Sequence, residues 1–582
     1  MASQESDATV DVTVSGTVAG LLDSYRRLDI PLQRYLFLIL APAFVFFLGT
    51  IAAAVVLNQP LFIRIPIPLL GLLLFATAVF YPKVQLSQRK RELNNRFHLL
   101  VTHMTILSTT KIDRMEVFRA LAEEEEYGEL AVEMGRVVEL VDTWNQSLDD
   151  ACRRRAKEVP SDALSDFFDR LAYNLGSGQS LKDYLVNEQD MIIDNYTTVY
   201  EGTLGNLNVM KDLYLSMILS MTFALVFAVV LPVLTGTDPL LTVSAVIVLF
   251  IFVQSGFYLA IRSIAPYDPL WFHPEEYPSP VEKVFNRRFA TGMALSGLLA
   301  FIAYGGMFGL SPVTLDMLIP FWSPVPLPLY AAVPITPLLI PGLTVRAEEQ
   351  RVKARDQEFP SFIRALGATE GAKQSTTSAV LSSLRHKDFG PLTPNIDNLY
   401  KRLNMRIEPA KAWRYFTAEC RSYLIQTFSE MYLVGREMGG SPKMLGELIA
   451  QNMNQVLQLR QQREQETTTL IGLLYGITAA STFAFFIGLQ VVSILADLSL
   501  GLESTSNFDV TTLINTSVYN IPLIEFLLII IIVFNGLLSA LMIRTLDGGH
   551  KLSSYFHFVA LTWLGALTAV LTRWLVTQFL AI

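Results

Sequence analysis

The stretch "IPLIEFLLIIIIVFNGLLSALMI" at 521–543 carries a single charged residue, Glu525. A helix of that length satisfies its own backbone across a hydrocarbon core, which takes about 20 apolar residues. Moving outward, eight further stretches pass the same test: 35–57, 61–81, 213–235, 241–262, 289–310, 319–343, 468–496 and 555–578. Composition agrees, since a chain of 582 residues with 51% hydrophobic and 17% charged residues and a mean hydropathy of +0.39 is too apolar for a soluble globule. The sequence predicts an all-α polytopic membrane protein with about nine transmembrane helices.

Basic residues set the expected orientation. Arg26, Arg27 and Arg34 precede the first stretch, and the loops 58–60, 236–240, 311–318 and 497–520 contain no Lys or Arg. This predicts a cytoplasmic N-terminus and, after an odd number of crossings, an external C-terminus. The polar start "MASQESDATVDVTVSG" has no signal-peptide core, so no cleaved leader is expected. Arg64 and Arg573 fall near outer span ends, where a long side chain can snorkel, and Glu525 and His557 fall near an interface. The expected segments are a cytoplasmic start at 1–34, spans at 35–82, a bundle at 83–212, spans at 213–264, a cytoplasmic loop at 265–288, spans at 289–344, a second bundle at 345–466 and spans at 467–582.

The two long cytoplasmic segments differ in charge, with a net of −7 over 83–212 and +4 over 345–466. The run "EEEEYGE" at 123–129 and an isoelectric point of about 5.5 fit a salt-rich cytoplasm or a solvated acidic helix end. Both segments read as helical bundles. In "PSDALSDFFDRLAYNL", Pro160 and Ser161 open a helix whose Leu164, Phe167, Phe168, Leu171 and Leu175 share one face, the stripe of a core-packed helix. The segments also repeat. A slide of 262 residues pairs Phe97 with Phe359, Lys111 with Lys373, Gly128 with Gly390, Leu130 with Leu392 and Gly178 with Gly440. Each unit shows the same order of two spans, a bundle ending in a glycine turn, one more helix and two more spans, which points to duplicated architecture.

The glycine turns read as punctuation. In "LGSGQSLKDYL" at 175–185, Gly176 and Gly178 stop one helix, and Ser180 with Asp183 opens the next as a capping box. In "MGGSPKMLGEL" at 438–448, Gly439 or Gly440 stops a helix, Ser441 can cap the following one, and Pro442 stands at its first position. Neither has phosphate-loop spacing, and "GATEGAKQSTT" at 367–377 misses it by one residue. No catalytic, cofactor or metal set is expected: the spans hold few ionisable groups, no GxGD occurs, and Cys152, Cys420 and six scattered His form no site pattern.

Two bundles with turns "GSGQSLKDYL" and "GGSPKMLGEL", each bracketed by spans, resemble the F domains of the type II secretion and type IV pilus platform family. The segment "HLLVTHMTILSTTKIDRMEVFRALAEEEEYGEL" at 98–130 resembles the archaellum branch of that family. The resemblance implies a non-enzymatic platform at the base of an archaellum, coupling a hexameric cytoplasmic secretion ATPase to pilin-like subunits and working as a homo-oligomer, with a dimer expected. Small residues at 49–54 and 476–482 allow close helix approach to such subunits or to other spans. The alternatives are an adhesive-pilus platform and, from another class, a transporter or channel. Candidate ATPase-docking residues are Arg153, Arg154, Arg155 and Lys157, then Arg89, Lys90, Arg91, Arg351, Lys353 and Arg355, because charge steers association. The last six also lie close enough to spans to be explained by topology and anionic lipid. A first bundle of net −7 is a poor partner for nucleic acid.

Overall fold

A computed structural model describes residues 35–56, a few positions between 71 and 86, and then 89–266, 268–272, 280–307, 313–318, 320, 324–373, 377–505 and 520–579. The chain divides into two compact units, Met1–Ile192 and Ile193–Ile582. Among the described residues the fold is helical, with one isolated antiparallel bridge, Trp271 to Ser422.

The first unit opens with the apolar helix α1 (Ala41–Val56), at the expected first span. The Tyr35 hydroxyl donates to the Ala78 carbonyl at 2.8 Å. Most of the second expected span, 61–81, lies outside the described residues. A bundle follows: α2 (Phe97–Ser108), α3 (Arg114–Glu123), α4 (Glu129–Asp142), α5 (Leu148–Glu158) and α6 (Asp162–Gly176), then the first turns of α7 (Leu181–Val230). Local chemistry sets these ends. Asp113, Ser147 and Ser161 cap α3, α5 and α6 through their side chains, each accepting a first-turn amide. The predicted stripe of α6 is the core: Leu164, Phe167, Phe168 and Leu171 are wholly buried.

The second unit holds the remainder of α7, then α8 (Pro239–Ile264) and α9 (Pro280–Met307). Next come α10 (Leu329–Ile335), α11 (Leu339–Lys373), α12 (Thr377–Leu384), α13 (Thr393–Asn404), α14 (Pro409–Cys420) and α15 (Tyr423–Glu437). The long α16 (Pro442–Thr505), α17 (Ile521–Asp547) and α18 (Ser554–Phe579) complete it. Seven helices among the described residues are long and apolar enough to cross a membrane: Leu181–Thr235, Pro239–Ile264, Lys283–Gly306, Leu329–Lys373, Pro442–Ala496, Ile521–Asp547 and Lys551–Phe579.

Two structural details go beyond the expected segments. Within the stretch 319–343 the described helix that is long enough to cross starts at Leu329, and its first turns are broken: α10 contains Pro334, and a 3-10 turn at Thr336–Leu338 separates it from α11. Proline removes a helical donor and crowds the preceding turn, so a run holding Pro326, Pro328, Pro334, Pro337 and Pro341 cannot be one regular helix. The boundaries drawn between bundle and span at 212 and 466 mark no break in the chain, because α7 and α16 run through them as single helices of 50 and 64 residues.

Four span helices of the second unit share a polar knot. The Gln254 amide nitrogen donates to the Tyr214 hydroxyl at 3.1 Å and to the Asn535 side-chain carbonyl. Asn535 donates to Thr478 at 3.3 Å, and Ser539 donates to Asn535 at 3.4 Å. Such bonds among apolar helices fix which faces meet.

Candidate functional site

The bundles repeat helix for helix. α2 corresponds to the end of α11, α3 to α12, α4 to α13, α5 to α14, α6 to α15, and the start of α7 to the start of α16. Burial follows the correspondence: Phe97 and Phe359, Leu130 and Leu392, Met134 and Ile396, Ala151 and Ala412, and Phe167 and Phe428 are all buried.

Both corners use one hydrogen-bond pattern. In the first bundle Gly178 has φ +85°, its amide donates to Leu175, and the Gln179 amide reaches back to Asn174, both at 3.1 Å. In the second, Gly439 has φ +83°, its amide donates to Arg436 at 3.1 Å, and the Gly440 amide reaches Gly435 at 2.8 Å. A left-handed residue past the helix end turns these amides back onto open carbonyls, and glycine takes that φ without strain. Gly178 therefore matches Gly439 and not Gly440, while Gly176 is the last residue of α6. The register slips by one because the loop 143–147 is a residue longer than its counterpart 405–408; each carries one residue of positive φ, Asn145 and Arg406.

The helix starts differ. The Asp183 amide donates to the Ser180 hydroxyl at 3.1 Å, and that hydroxyl donates to the Asp183 carboxylate at 2.5 Å. At the other corner the Ser441 carbonyl accepts the Leu445 amide at 3.0 Å, but among the described residues its hydroxyl caps no amide. Position 444 is Met, which cannot hold the hydroxyl as Asp183 does. The phosphate-loop look-alike lies in and just beyond α11, where Gly367 and Gly446 let two helices touch: a Cβ on Gly367 would stand 2.3 Å from the Pro442 carbonyl oxygen.

The structure sorts the candidate basic residues. Arg155 is a core residue, with its guanidinium 2.6 Å from the wholly buried Glu133 carboxylate. Arg136 and Arg89 approach the same carboxylate at 2.7 and 3.5 Å, and Arg89 also meets Glu129 at 2.8 Å. Lys353 bridges Glu464 and Asp547 at 3.2 and 3.0 Å, and Arg355 pairs with Glu348 at 3.2 Å. These arginines and Lys353 are structural, a role that sequence proximity to a span or a run of Arg does not disclose. Arg153 and Arg154 remain exposed, paired among the described residues along α5 with Asp150 and Glu158 at 3.7 and 3.6 Å, and Lys157 is exposed beside them. Lys90 is partly buried and pairs with Asp162, Arg91 is exposed, and Arg351 is exposed on Glu348.

Among the described residues no three His, Cys, Asp or Glu gather as a metal set. Cys152 and Cys420 are buried and burial pushes both thiols up, so neither is a ready nucleophile. His103, buried against the Tyr127 hydroxyl at 3.0 Å, is pushed down to about 4 by desolvation and is neutral near pH 7.

Comparison with known proteins adds lineage to this geometry. Residues 100–230 match the type II secretion system protein F family. The chain is 33% identical to flagella accessory protein J of Methanocaldococcus jannaschii over 97% of its own length and 98% of the relative's. It is 31% identical to flagella accessory protein J of Methanococcus voltae over 89% and 91% of the two lengths. No solved structure matches it. A relation of this extent covers both bundles and the spans between them, so the chain belongs to the flagella accessory protein J family, the archaellum branch of the F-domain membrane platforms.

Proposed function

We propose that the protein is the non-enzymatic platform that couples a hexameric cytoplasmic secretion ATPase to the assembly and rotation of an archaellum. The observation that carries this reading is the pair of long helices: α7 and α16 each begin at a bundle corner and continue into a span without interruption. A push on a bundle is thereby a push on a transmembrane helix. The bundles face the cytoplasm, with the N-terminus inside and the C-terminus outside, a placement that the Lys and Arg distribution supports. Pilin-like archaellin subunits with apolar N-terminal helices pack against the spans, and two copies of the platform work together in the bilayer.

The ATPase docks on α5 through Arg153, Arg154 and Lys157, whose exposure leaves them free to meet a partner's carboxylates. Reversing Arg153 and Arg154 to Glu removes only exposed intrahelical pairs, which contribute little to stability. Co-purification with the ATPase should fall by about tenfold or more, with the helical circular dichroism unchanged. Undiminished co-purification would move the docking surface elsewhere. Deletion of the protein should abolish swimming and leave surface attachment intact; swimming that persists would favour an adhesive-pilus platform.

A further inference from the structure

We propose that residues 268–272 form a clasp that locks the second bundle to the bundle-side ends of its own spans, so that bundle and spans move as one body. The segment follows α8. Asp268 takes the Arg460 guanidinium of α16 through two bonds, at 2.5 and 2.7 Å, and the Pro269 carbonyl accepts a third at 2.9 Å. The remaining face of the same guanidinium donates to Asp356 of α11 at 2.9 Å. The Asp268 and Asp356 side chains are 9% and 1% exposed, so the pairs are shielded from salt and water.

Two residues further on, the chain runs antiparallel to the α14–α15 junction. The Phe272 amide donates to the Arg421 carbonyl at 2.9 Å, and the Tyr423 amide donates to the Leu270 carbonyl at 3.2 Å. Between them Trp271 lies opposite Ser422, and its indole N–H donates to Glu349 of α11 at 3.3 Å. Glu349 also accepts the His550 amide from the turn between α17 and α18, at 2.5 Å. One strap thus gathers α8, α11, α15, α16 and the α17–α18 turn.

The clasp depends on backbone geometry at Arg421, whose φ of +58° ends α14 and aims its carbonyl at the strap. The first bundle has Pro160 at that place, with φ fixed near −65°. It likewise has Asn94 where the second has Asp356, and Val199 where the second has Arg460. Asn94 accepts the Ser161 hydroxyl at 2.5 Å and carries no charge for such an ion pair. Among the described residues the first bundle thus lacks the left-handed carbonyl and the ion pair on which the clasp is built.

The clasp is a property of this chain alone; only its consequence for motility rests on the platform reading. Hydrogen exchange is measured on the full-length protein in lipid nanodiscs, without the ATPase. The Phe272 and Tyr423 amides should exchange at least about 100-fold more slowly than unpaired amides. Arg421→Pro should release both by about tenfold or more while α16 stays protected. Arg421→Gly, which tolerates the left-handed turn, should keep them protected. Should Arg421→Pro fail to insert, Trp271→Ala takes its place, removing the bond to Glu349 and leaving the ion pairs. Free exchange of both amides in the native protein would overturn the clasp whatever the protein does. Cells carrying a variant with a released clasp should not swim; wild-type swimming would overturn the one-body coupling while leaving the platform role intact.

Discussion

The first bundle places Glu133 and Arg155 at buried positions where the second places Asn395 and Phe416, and Glu188, paired with Arg170 at 2.6 Å, where the second has the buried Ile449. The helices around them correspond one to one. What the two copies share is the order of buried and exposed positions and the glycine corner; what they do not share, at these positions, is the kind of glue. A buried ion pair contributes little net stability once desolvation is counted, so apolar contact can replace it at fixed geometry. Removing one partner of an existing pair is another matter, because the remaining charge stays buried.

That asymmetry gives the largest expected difference. Glu133→Ala should cost the first bundle about 3 kcal/mol, by taking the shared carboxylate from Arg155, Arg136 and Arg89 and leaving buried Arg155 only the half-exposed Glu158, whereas Asn395→Ala should cost the second about 1 kcal/mol. Replacing both charges with the second bundle's residues, Glu133→Asn with Arg155→Phe, should recover most of the loss. Amide exchange along α4 and α13 reads both, and equal losses would break the contrast.

A pH titration comes next. His103 sits near 4 when folded against an ordinary 6.5, so between those values the unfolded chain binds a proton that the folded bundle does not. Stability of the first bundle should therefore fall as pH drops through that window, by on the order of 2–3 kcal/mol at its lower end. His103→Gln should remove this component. The second bundle has Ala365 at the corresponding place and should not show it. Exchange at α2 and at the end of α11, followed from pH 7 to 4 in both proteins, checks the sign; a loss of α2 protection unaffected by the substitution would exclude His103 as its source.

The smallest difference lies at the corners. Ser180→Ala removes a side-chain cap and should cost about 1 kcal/mol, while Ser441→Ala should cost only a few tenths. Thermal melts of the two variants, read at the first turns of α7 and α16, would sharpen the comparison, and equal costs would show that Ser441 caps its helix in solution.

Much of this was legible in the sequence because it is local. Apolar runs mark nine expected spans, seven of which hold a described helix long enough to cross a membrane, the α6 stripe identifies a core face, and Gly-Ser punctuation identifies both corners. Three features were not. Arg155 reads as surface charge because Glu133 lies on the preceding helix, 22 residues back, though an Arg between Ala151, Cys152 and Ala156 on the buried side of α5 was a signal available at helical spacing. The proline-broken entry to α11 looked continuous because hydropathy ignores missing donors. The clasp joins Asp268 to a residue 192 positions away, beyond the reach of any local pattern.

Between Pro442 and Thr505 the helix α16 contains no internal proline, the usual cause of a sharp kink. At 1.5 Å per residue it is a rod of about 96 Å, against a hydrocarbon core of about 30 Å. Even with a turn or two beyond the far surface, the arm on the bundle side is the longer. On the platform role proposed above, such a rod would serve as a lever with its fulcrum at the membrane surface: a broad stroke at the corner near Gly439 would become a shorter, stronger one at the buried end, the gearing that moving a subunit through lipid would demand.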